Sequence, residues 1–176
     1  MVTAGCDDPP GPAGETAKGE VAAAPGRQLV EVEGLSTVEL IGLLAHPNEL
    51  TRTRAHARLH HFLVSDTDHP DYPERLTRFQ KFAPHACRAG HEPQTLHILG
   101  LFAAQRDISS ILVKQCLASD QPRVRATALE LAHFSDNRID AELLAFEPDR
   151  ETLASYKIAL RELGTAAASE RLAGLE

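Results

Sequence analysis

Tryptophan is absent from the 176 residues, and aromatic side chains of all kinds make up only 5%. A core without large rings must be assembled from Leu, Ala, Ile and Val, which suits closely packed helices better than the aromatic- and β-branched-rich faces of a sheet. No stretch approaches the roughly 18 consecutive apolar residues that a membrane-crossing helix needs. The three cysteines, Cys6, Cys87 and Cys116, are too few and too scattered for a disulfide framework. Glycine-rich phosphate loops, G-x-S-x-G and H-E-x-x-H are all missing. The phosphate-cradling, serine-hydrolase and zinc-protease classes therefore have no anchor here. No nucleophile has an evident base with a third group to orient it, so no catalytic residue is expected. Excess positive charge is lacking too. The net charge of −7 removes the general attraction on which non-specific nucleic-acid binding depends.

What is present is ordinary for a globular chain of one domain, 43% hydrophobic and 24% charged. Residues 1–35 stand apart. They are rich in Pro, Gly and Ala, lack periodicity, and carry six acids against two bases, a net of −4. Such a segment reads as a flexible, disordered tether. The run Arg27 to Gly34 alternates Leu29 and Val30 with acids, as a short extended piece leaning on the first helix would. "TAGC", ending at Cys6, resembles the close of a bacterial lipoprotein signal, with Thr3 where an aliphatic residue is usual. The resemblance makes Cys6 a lipidation candidate and the cell envelope or periplasm the expected location, lipid-anchored where a basic and then apolar stretch precedes it. The alternative is a cytoplasmic chain with a chance cysteine. A Cys87–Cys116 bridge belongs only to the exported case, and otherwise both are small buried apolar residues.

From 36 to 176 the signals are helical almost throughout. Ser36 and Glu39 form a capping box, and Leu40, Ile41, Leu43 and Leu44 follow as an apolar stripe. Pro47 ends that helix and Asn48 caps the next. The pattern predicts a third helix from Pro73, ended or kinked at Pro84, and a fourth opening at Glu92-Pro93. Asp107 is expected to cap a fifth, and Asp120 with Pro122 to open a sixth. A seventh spans about Arg138 to Phe146, and an eighth follows "EPDR" and stops at Gly164. "TAAASERLAGL" supplies a short last one.

The phrase "ELIGLLAHPNELTRTRAHARL" returns in kind as "ILVKQCLASDQPRVRATALEL". Aligning Arg52 with Arg125 sets an offset of 73 and brings Ala55 onto Ala128, Leu44 onto Leu117 and Leu40 onto Val113. That offset is about two units of 36 or 37 residues, a helix-pair period of stacked solenoids. The turn followed by V-R-x-x-A resembles a HEAT repeat. The resemblance implies that Asp120 caps the second helix, Val124 packs inward, Arg125 bonds a neighbouring repeat and Ala128 sits at a close contact. Asn48, Arg52 and Ala55 form a looser copy, while Leu153 and Tyr156 depart from the pattern. The expected fold is all-α: a short HEAT-like, armadillo-type superhelix of about four antiparallel helix pairs over 36–164. A narrower likeness is to helical segments of large bacterial membrane-bound dehydrogenase-like proteins that end in a cytochrome c domain. Their propeller and haem motif C-x-x-C-H are missing here, so no redox activity carries over.

Nine histidines invite a metal reading. His56 and His60, spaced i,i+4, can face one ion, and His85, Cys87 and His91 form H-x-C-x3-H; either group needs ligands from elsewhere. Arg54, Arg58 and His61 make the second helix locally basic and are the candidates for an interaction surface. The expected function is a non-catalytic, cofactor-free scaffold or adaptor that binds another protein. The alternatives are an accessory protein of a metal- or haem-dependent redox system, or a helical-repeat nucleic-acid binder.

Overall fold

A computed structural model of the chain describes residues 29–88, 90–135 and 139–175. Within them lie nine α-helices and no strand: α1 (Thr37–Leu43), α2 (Glu49–His60), α3 (Tyr72–Arg88), α4 (Glu92–Gln105), α5 (Ser110–Leu117), α6 (Pro122–Leu131), α7 (Asp140–Ala145), α8 (Leu153–Leu163) and α9 (Ala166–Ala173). The starts and stops follow local chemistry. The Ser36 hydroxyl accepts from the Glu39 N–H, and the Glu39 carboxylate accepts from the Ser36 N–H at 2.8 Å, closing the capping box. Asn48 accepts from the N–H groups of Leu50 and Thr51 to start α2. Gly164 ends α8 at φ +63°, a left-handed geometry that glycine adopts without penalty.

Four expectations change or narrow at this level. The cap of α5 is Ser109, not Asp107, because Ile108 is drawn into the core and bridges Ser135 before the helix begins. Asp120 is one residue short of its capping role: Gln121 holds the cap position of α6, and its side chain makes no capping bond. Of the two outcomes expected at Pro84, an end or a kink, α3 does not end there but runs on to Arg88. The ring removes one backbone bond, to the carbonyl of Gln80, an exposed residue. The arm at 29–35, expected on α1, is held by α2. The Val30 N–H reaches the Thr51 hydroxyl at 3.4 Å, and Val32 is buried in the core. The packed body therefore extends upstream of position 36, while Cys6 and most of the tether lie outside the described residues.

The helices touch in a definite order. α1 packs on α2 and α3, α3 on α4 and α5, α5 on α6, and α7 on α8. The second members also touch in sequence: α2 on α4, α4 on α6, and α6 on α8; α9 then covers α7 and α8. One apolar cluster runs from Val32 to Ala168, and Tyr156 and Phe79 are its largest fully buried side chains. Each such burial contributes about 2 kcal/mol of transfer free energy. Ala55 and Ala128 are fully buried, as is Ala159 nearly so, and small side chains here let neighbouring helices approach closely.

The turn inside each pair exposes carbonyls that the first helix has left unpaired, and a side chain meets one in every case. Arg52 Nη1 donates to the carbonyl of His46 at 2.8 Å and of Pro47 at 3.1 Å. Arg125 Nη1 donates to Ser119 at 2.7 Å. Both arginines reach back six residues, so the repeated phrase encodes a repeated bond. Gln121, from the next pair, donates to Gly90 at 2.8 Å, and Arg171, from α9, donates to Phe146 at 3.5 Å. Arg125 also bonds Asp149 in the following turn. Further ties join successive pairs: Arg123 to Glu92 at 3.0 Å, Ser155 to Glu130 at 2.9 Å, and Lys114 to Glu142 at 2.5 Å. Among the described residues, no helix is long and apolar enough to cross a membrane.

Candidate interaction surface

The three basic candidates occupy one side of α2 and the turn after it, since Arg54, Arg58 and His61 follow helical spacing. Arg54 and His61 are exposed and Arg58 is half-buried. The acidic arm crosses this side, so Glu31 and Glu33 border, together with Arg54, Arg58 and His61, a shallow hollow of about 510 Å³. The Glu33 carboxylate is held below its ordinary range by its own backbone N–H and by the Glu31 side chain, with a smaller contribution from the Arg54 charge. The surface that looked freely basic in sequence is thus partly neutralised by the chain's own acids.

Arg58 also borders a second hollow of about 310 Å³, against the loop before α1 and the start of α3. Here α2 runs into a π-helical turn, His61–Ser65, that buries Phe62. Two guanidinium groups cover the faces of that ring, Arg58 at 4.4 Å and Arg75 at 4.3 Å from its centre. Such stacking holds the cations in place without neutralising them. Arg75 is further tied to Asp66 at 3.2 Å. Arg58 keeps a buried Nε that meets no hydrogen-bond partner among the described residues. The arrangement gives a fixed cation between two hollows, one already edged by the acidic arm.

The candidate metal ligands separate into different settings. His56 and His60 lie on one face of α2, and the ring His56 meets across the interface is His97 of α4, at 5.0 Å between centres, against 6.5 Å to His60. Burial, and then the neighbouring His97 and His60, lower the His56 pKa; burial and the Arg52 charge lower that of His97. His56 Nδ1 is buried without a partner among the described residues. His85, within the last turn of α3, and His91, just before α4, are exposed, while Cys87 lies beside Cys116. Among the described residues no group of three or more His, Cys, Asp or Glu is placed to hold a metal ion.

Of the repeat positions, Ala55, Val124 and Ala128 are buried and Arg52 and Arg125 hold turns, as described above. Sequence reasoning missed His97, Arg75, Gln121 and Arg171. Each acts across a helix interface, and no local spacing marks it. Asp149 was passed over as part of a turn. It accepts from the Thr152 N–H at 2.9 Å and from the Thr152 hydroxyl at 2.8 Å, an Asx-type signal that D-x-x-T offers at short range. No family model matches the chain, and no curated protein or solved structure matches it either.

Proposed function

We propose that this chain is a non-catalytic recognition scaffold, a short HEAT-like stack of four helix pairs closed by α9. The observation that carries this reading is the packing order: the second helices touch in sequence, α2 on α4, α4 on α6 and α6 on α8, while among the first helices α1 touches α3 and α3 touches α5. Such a row buries its apolar faces on its neighbours and leaves a long ridged surface for binding other molecules. The arginine at the turn recurs in alternate pairs, as Arg52 and Arg125, and adds a second regularity. The steps between second helices are uneven: α2, α4, α6 and α8 begin at 49, 92, 122 and 153, so the row is irregular.

The partner this surface suits is a protein with an acidic extended segment, received beside Arg54, Arg58 and His61. The chain's own balance of −7 weighs against phosphate backbones as the target. A role beside a metal- or haem-dependent redox system has no comparable feature behind it. A lipid on Cys6 would place the scaffold at the cell envelope on a tether.

The test is site-specific photo-cross-linking in the native host. A photoreactive residue at Arg54 is expected to capture one protein near one-to-one, and Arg58→Glu is expected to abolish that capture. Equal capture from the exposed Ile158, on α8, or capture unaffected by Arg58→Glu, overturns the assignment of this face.

A further inference from the structure

Cys87 lies near the end of α3 and Cys116 near the end of α5, and these two helices pack against each other. Neither cysteine is in a disulfide. Their side chains adjoin, and Thr95 of α4 lies beside them on the same cavity. Both sulfurs line a cavity of about 470 Å³ whose rim is formed by Gly90, Ser119 and Gln121. Cys116 is 3% exposed and Cys87 half-buried, so the cavity is their route to solvent. We propose that Cys87 and Cys116 form a reversible dithiol–disulfide site that exchanges with small disulfides through this cavity.

The contact assigns different parts to the two sulfurs. The neighbouring Cys87 side chain draws the Cys116 pKa down; Cys116 in turn, and then burial, push the Cys87 thiol up. Cys116 is thus the group that gains thiolate character, and the thiolate is the attacking form. Its sulfur attacks one sulfur of a small disulfide RSSR. The S–S bond of RSSR breaks, RS⁻ departs and takes up a proton, and a mixed disulfide remains on Cys116. Cys87 then gives up its proton to solvent and attacks the Cys116 sulfur, and the second RS⁻ leaves and takes up a proton. Two protein thiols are oxidised to one disulfide, and one RSSR is reduced to two RSH. A sulfur–sulfur bond of about 2 Å needs the two backbones close together, and α3 and α5 pack against each other with both cysteines on one cavity. The covalent link joins the second and third helix pairs and closes a loop containing the whole of α4.

The test uses the full chain carrying Cys6→Ser, which leaves these two thiols alone. The folded protein is incubated with oxidised glutathione, then alkylated and weighed intact. The expected product has lost two hydrogens, carries no glutathione, and takes up no alkylating agent. Its urea midpoint lies above that of the untreated protein and returns after reduction by dithiothreitol. A stable glutathione adduct on either cysteine, or two thiols still open to alkylation while a denatured control is oxidised, overturns the proposal.

Discussion

The α1–α2 unit and the α5–α6 unit carry the same phrase 73 residues apart, yet they are joined to the molecule differently. In both, an arginine six residues along holds the carbonyl of the turn, and an alanine is fully buried three residues later. They part at the residue before the arginine. Thr51 is fully buried and its hydroxyl receives the arm through the Val30 N–H, whereas Val124 is purely apolar. They part again at the arginine. Arg52 is bonded within its own turn, but Arg125 continues to Asp149 in the next. The same local code therefore serves two situations. The α1–α2 unit holds the arm laid across it, and the α5–α6 unit holds the turn that precedes α8.

That contrast can be tested at graded depth. The shared part should respond alike: Ala55→Leu and Ala128→Leu each force extra carbons into closed packing and are expected to cost up to about 3 kcal/mol, read from urea unfolding. A loss at one site and tolerance at the other would show that the two alanines are not equivalent. The arginines come next. Arg52→Ala and Arg125→Ala both remove a charged donor from a turn carbonyl, about 2 kcal/mol. Arg125→Ala should lose more, because it also releases the following turn, and a double-mutant cycle with Asp149→Asn should show coupling there. Smaller still is Thr51→Val, which makes the first unit resemble the sixth-helix copy. It should cost about 1 kcal/mol or less and raise amide exchange at Val30, while leaving α8 unchanged.

The smallest effect is set by pH. Asp149 is held down to about 2 by the Thr152 hydroxyl and N–H, with Arg125 adding to them. The unfolded chain binds this proton first, so the contribution is whole above about pH 4 and disappears as pH falls through about 2. Asp149→Asn should flatten that part of the acid-unfolding curve, whereas Arg52→Ala, in the unit without such an acid, should leave its shape alone.

Much of the fold was legible because helix ends are local events. The capping box at Ser36 and Glu39, the Asn48 cap and the Gly164 stop all depend on groups within four residues. The all-helical class followed from the same signals. What was misplaced depended on partners remote in sequence. Ser109 displaced Asp107 as a cap because Ile108 is pulled into the core, and the arm chose α2 because Thr51 offers it an acceptor. The candidate surface was half legible. Spacing put Arg54 and Arg58 on one side of α2, but nothing in that spacing discloses that Glu31 and Glu33 lie beside them. The cysteine contact was open in sequence for a like reason, since Cys87 and Cys116 meet only when α3 and α5 adjoin.

α9 has a consequence for assembly. An open-ended stack grows by laying a further helix on an uncovered side. Here α9 lies over α7 and α8, and its Arg171 secures the Phe146 carbonyl with Glu147 and Tyr156 beside it. Whatever packs onto this side of the molecule, a second copy or another protein, meets α9 and not α8.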